Sequence, residues 1–139
     1  MRYVWSGNIS LDVPAGWQVK EPGDLIELVP SSGRGAMHVS ILDRERSESP
    51  TEAEARELAG WFRDRRGGDG EIVVAIEPDR LPSARTSFTV AEDGVPMSWT
   101  VYTKIWPERA ILASFSSEPG FAKDLGEANA IFKSLQIAD

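Results

Sequence analysis

Apolar residues recur at every second position near the start of the chain. Ile9, Leu11 and Val13 alternate with polar neighbours, preceded by Val4 and Trp5 and followed by "DLIELVP" (24–30) and "AMHVSILD" (36–43). A period of two places alternate side chains on one face, so residues 1–43 are predicted to be β structure. The last two runs, joined through Ser31-Ser32-Gly33-Arg34-Gly35, are predicted to form a hairpin. Pro14-Ala15-Gly16 should turn the chain after the Val13 strand, and the indole of Trp17 is expected to fold back as a plug for the core rather than serve as a ligand platform.

From Ser49 the period changes. In "SPTEAEARELAGWFRDRRGG" (49–68), Ala55, Leu58, Ala59 and Phe62 have the spacing of one helical face, and Trp61 is read as part of the same core. Ser49 is expected to cap this helix, with Pro50 at its first position and Glu52 completing a capping box. Arg63, Arg65 and Arg66 suit the negative end of the helix dipole, and Gly67-Gly68 supply the stop. Strand patterns return in "EIVVAIEP", "ARTSFTVAE", "VPMSWTVYTKIW" and "RAILASFS", the last three predicted as an antiparallel meander turning at Glu92-Asp93-Gly94 and Pro107-Glu108-Arg109. A second helix should start after Ser116-Ser117-Glu118-Pro119 and bury Phe121, Leu125, Ala128, Ile131 or Phe132, and Leu135.

The connections between strands are mostly too short for crossover helices. The fold class is therefore α+β: one domain over residues 1–139, with an antiparallel sheet of about six to seven strands and two main helices, one after the N-terminal strands and one C-terminal. A chain of 139 residues, 41% hydrophobic and 27% charged, can bury a core of that size. A formal net charge of -7 opposes nucleic-acid binding, and the absence of cysteine removes disulfides, thiol nucleophiles and thiolate metal sites. No segment has the apolar length of a signal-peptide core or a membrane span, so a cytoplasmic, acidic protein without membrane insertion is expected.

Three local signatures add a resemblance: "VPAGW" as an opening strand running into Pro-x-x-Trp, the order hairpin, amphipathic helix, meander, and the ending "IFKSLQI". With these the chain resembles the PsbP-like fold group, including its DcrB-type members. The resemblance implies a small α+β accessory or chaperone-type domain with a binding role, and it brings no shared catalytic motif.

Candidate chemistry is sparse. His38 is the only histidine, and it lies in a strand without a nucleophile elbow or oxyanion loop, so a surface histidine is preferred to a catalytic one. Asp43, Glu45 and Glu48, and Glu52, Glu54 and Glu57, lack calcium-loop spacing and read as solvated faces; "RRGGDGE" (65–71) lacks the Lys-Ser/Thr of a phosphate loop. No metal or cofactor is expected. One composite surface stands out: if Val39, Phe88, Val101 and Phe115 point inward together, the other sheet face carries His38, Ser40, Arg85, Ser87, Thr89, Thr100, Tyr102, Lys104 and Ser114, with Trp106 leaving the main core. His38, Arg85, Tyr102, Lys104 and Trp106 are the candidate partner-binding residues. The expected function is a non-catalytic binding or accessory domain engaging a protein or peptide partner, chaperone- or immunity-like. The alternatives are a small hydrolase or isomerase using His38, and a structural subunit that oligomerises through Trp5 and Trp106.

Overall fold

The computed structural model describes residues 1–5, 9–45 and 48–137. Its main element is a seven-stranded antiparallel sheet. In spatial order the strands are β3 (Gln18–Lys20), β4 (Leu25–Val29), β5 (Gly35–Asp43), β9 (Arg109–Ser117), β8 (Val95–Ile105), β7 (Pro82–Glu92) and β6 (Ile72–Ile76). A second sheet of three strands joins β1 (Arg2–Trp5) and β2 (Ile9–Asp12) to β10 (Gln136–Ile137). The helices are α1 (Glu52–Arg65) and α2 (Ala122–Ser134). The α+β class, the main sheet, the hairpin of β4 and β5 and the meander of β7, β8 and β9 agree with the sequence reading. The three-stranded sheet was not expected: β10 is two residues long, too short to register as a strand pattern.

Both faces of the main sheet are covered. On one, Met37, Val39, Ile111, Ala113 and Phe115 pack against Ile9 and Leu11 of the small sheet and Ile131 and Phe132 of α2. Trp17 closes this core beside Phe115, with ring centroids 6.0 Å apart, after a turn whose Gly16 has a φ of 88°; the plug expectation holds. On the other face α1 lays Ala55 and Ala59 against Ala84, Ile105 and Ala110, while Phe88, Trp99, Val101 and Leu112 form a third cluster. The small side chains let helix and sheet approach closely enough for Thr103 Oγ1 to donate to the Ala55 carbonyl at 2.9 Å.

The helix ends follow their chemistry, with two corrections. Thr51 rather than Ser49 caps α1, accepting from the Glu54 N–H at 3.1 Å. The shift of two residues lets Glu54 meet the buried guanidinium of Arg44 at 2.6 and 2.7 Å, an anchor that outweighs the alternative capping box at Ser49. Gly67 and Gly68 end the helix as expected, returning their N–H groups to Asp64 and Arg63. In α2 the expected inner Leu125 is exposed, because the helix turns Asp124 inward instead, where Ser32 Oγ donates to it at 2.6 Å. The expected core residue Trp61 is 51% exposed. It lies on the flank of α1, where Arg65 stacks on its ring at 4.5 Å.

Candidate functional site

The pairing register decides which candidate residues share a face. In an antiparallel sheet directly paired residues point the same way. Val39 pairs with Ala113, Ala113 with Tyr102, Tyr102 with Arg85 and Arg85 with Val73, so this row lies on the α2 side. His38 pairs with Ser114, which pairs with Val101, and that row lies on the α1 side. The expected composite face is therefore divided. Val39 and Phe115 belong to one core, Phe88 and Val101 to the other, and His38, Ser40 and Ser114 lie across the sheet from Arg85, Tyr102 and Lys104.

Four of the five candidates do come together. Trp106, expected to leave the core, is 8% exposed within the main cluster, and Lys104 is 6% exposed beneath the segment between β6 and β7, because this face, unlike the expected one, is covered. That segment folds back with the Glu77 N–H on the Leu81 carbonyl and Arg80 at a φ of 69°. It delivers two carboxylates: Tyr102 Oη donates to Glu77 at 2.8 Å and Lys104 Nζ to Asp79 at 2.7 Å. Aromatic contacts complete the cluster. Lys104 Nζ stands 5.0 Å from the Trp106 ring centroid, Arg85 stands 5.8 Å from that of Tyr102, and Tyr102 stacks on Phe132 of α2 at 5.4 Å.

Burial pushes the Tyr102 phenol well above its ordinary value, and the hydrogen bond to Glu77 pushes it further, while the charge of Arg85 pulls the other way. The phenol is thus a fixed hydrogen-bond donor at neutral pH. Glu77 and Asp79 each meet a donor from β8, an arrangement that holds the loop on the sheet.

Beside this cluster a groove of about 550 Å³ opens toward the edge of the sheet. Val73 and Ala75 of β6, Arg85, Ser87, Tyr102 and Lys133 from the last turn of α2 line it, together with Glu71 and Glu77 at the two ends of β6. β6 ends the sheet, so among the described residues no strand pairs with its outer backbone groups, and its residues Val73 and Ile76 are 62% and 55% exposed. An exposed strand edge was one of two partner surfaces the sequence allowed, without the strand that forms it; the signal for β6 was present in "EIVVAIEP", whose apolar residues occupy both faces of the strand.

His38 lies elsewhere, its Nε2 2.9 Å from Glu27 on the adjacent strand, and does not line this groove. The hydrolase or isomerase alternative needs a concave site around that imidazole. Trp5 and Trp106, proposed as an oligomer contact, are both buried in the chain's own core. They are large apolar plugs on the side covered by the small sheet and α2.

A twisted antiparallel sheet, helices on both faces and a small second sheet define a compact α+β architecture shared with proteins of quite different sequence. A Bacteroides thetaiotaomicron protein superposes with a TM-score of 0.68 at 18% identity over 96% of this chain, which spans 46% of that longer protein. LpqN of Mycobacterium tuberculosis, described as involved in cell envelope biogenesis, gives 0.71 at 12% identity over 94% of this chain and 83% of its own. The Ran-binding protein Mog1p of Saccharomyces cerevisiae gives 0.64 at 11% identity over 98% of this chain and 93% of its own. At such identities the shared property is the fold. The chain matches no family model, and no curated protein matches it in sequence. Among the described residues no helix is long and apolar enough to cross a membrane.

Proposed function

We propose that this chain is a non-catalytic accessory domain of the PsbP-like, DcrB-like kind that holds an extended segment of a protein partner along β6, in a chaperone- or immunity-like role. The observation that carries the reading is the unpaired β6 edge with exposed Val73 and Ile76, set beside the Arg85 groove. An added strand gains main-chain hydrogen bonds from such an edge and reads alternate side chains in the adjoining groove. Self-pairing of β6 about Val74 would oppose Glu71 to Glu77 in both crossings, so the sequence favours a different chain over a second copy. Tyr102 lines the groove, Lys104 holds the neighbouring segment through Asp79 and contacts the Trp106 ring, and Arg85 and Lys133, set among Glu71 and Glu77, offer their charges to the bound segment. The description of Mog1p as Ran-binding supports protein binding as a use of this fold.

The test is affinity capture from native lysate with the wild type, a Val73→Lys/Arg85→Glu variant and a Trp61→Ala variant, followed by hydrogen exchange on the purified complex. A partner lost only by the β6 variant, and slowed exchange at residues 72–76 in the complex, is the expected result. A partner retained by a folded Val73→Lys/Arg85→Glu variant rules the β6 site out. Cytoplasmic residence belongs to the same proposal and is checked by cell fractionation, since LpqN is tied to the cell envelope.

A further inference from the structure

On the opposite face of the sheet α1 covers β6, β7 and β8 and leaves a second groove, of about 690 Å³, along β5 and β9. Its floor is apolar: Leu58 of α1, Ile105, Ala110 and Leu112. Its walls are Trp61 and Leu42, both large apolar side chains left exposed. Four of the five tryptophans are buried, and the fifth stands at the mouth of this groove. Arg65 holds the indole by stacking on it, so the exposed ring is a positioned wall.

Carboxylates outnumber cations at the rim. Asp43, Glu45 and Glu57 border the groove, Arg44 is the one cation among the described residues that line it, and Arg65 stands over the Trp61 ring at its mouth. Arg44 is consumed internally: Glu54 takes its Nε and Nη2, and the carbonyls of Glu48, Trp106 and Pro107 take further N–H groups. An apolar floor with an acidic rim on a protein of net charge -7 repels a second copy and an anionic lipid surface and attracts a cationic chain.

We infer that the groove between α1 and β5/β9 is a second docking site, for a partner segment that places an apolar side chain against Trp61 and Leu112 and flanks it with lysine or arginine. The site lies across the sheet from the β6 edge and stands or falls independently of it. Large apolar anchors in a desolvated groove supply the affinity, and the rim charges select the sign of the flanks.

The probe is an aromatic-free amphipathic Lys/Leu peptide, with a Glu/Leu peptide of the same pattern as control. Because the other tryptophans are buried, acrylamide quenching of the emission reports chiefly on Trp61. The Lys/Leu peptide is expected to bind by calorimetry, to shield Trp61 from the quencher, and to lose about tenfold in affinity in Glu57→Lys, an exposed helix position, while Val73→Lys binds it unchanged. Trp61→Ala should weaken it comparably. Equal binding of the Glu/Leu peptide, an affinity untouched by Glu57→Lys, or shielding of Trp61 by the protein itself as its concentration rises would each overturn the inference.

Discussion

Tyr102 shows how one side chain can look like a surface ligand in a sequence and act as a structural hub in the fold. Its position among Thr100, Lys104 and Trp106 on one side of a strand reads as a polar face, yet the ring stacks on Phe132 and the hydroxyl holds Glu77. The weakened acidity of this phenol has a measurable consequence. In the unfolded chain the phenol ionises near its ordinary value of 10.0, whereas the folded one keeps its proton to higher pH. The contribution is therefore fully present below pH 10 and is lost as pH rises beyond it, with a slope approaching about 1.4 kcal/mol per pH unit. Urea unfolding of wild type and Tyr102→Phe at a series of alkaline pH values should show the wild type falling more steeply. Parallel curves would mean that the phenol is not held protonated by the fold.

Elements were legible to the extent that their signals are local. The stop of α1 at Gly67-Gly68 is written in the chain, but its start depends on Arg44, which reaches Glu54 from the end of β5 and is invisible to a local motif. In α2 the inner face was misphased at Leu125 because the partner of Asp124 is Ser32, far away in the chain. The connection from α1 into β6 carries a stricter requirement. A Cβ on Gly70 would lie 2.0 Å from the Ser87 carbonyl oxygen, whereas one on Gly126, within α2, would meet nothing inside 4 Å. Gly70→Ala should cost about 1–3 kcal/mol through forced backbone displacement, and Gly126→Ala should gain roughly 0.5–1 kcal/mol from helix propensity. Denaturant midpoints of the two variants that moved in the same direction would contradict this.

For the whole molecule, alternation along a strand was readable and the coverage of the two faces was not. Trp99 and Trp106 do point to opposite sides of β8, but whether a face is solvated depends on which distant elements settle over it, here the small sheet and α2 over Trp106. One sequence signal did bear on this: "RAILASF" and the run from Thr100 to Trp106 leave few charged side chains on either side, as strands buried on both faces do. The same layering orders the local stabilities. Strands β8 and β9 lie in the interior of the sheet, each paired on both sides, and exposing them requires breaking that pairing, lifting α1 from β8 and lifting α2 with the small sheet from β9. Only global unfolding accomplishes that, so the slowest amide exchange should fall in β8 and β9, with exchange free energies equal to the global value. The edge strands β3 and β6 are paired on one side only, and opening them gives up fewer contacts, Val19 on the main core and Ile72 and Val74 under α1, so they should exchange much faster. Native-state exchange resolved by residue distinguishes the cases: protection in β6 equal to that in β9 would mean that the edge is not available to a partner strand, and the β6 site would fail with it.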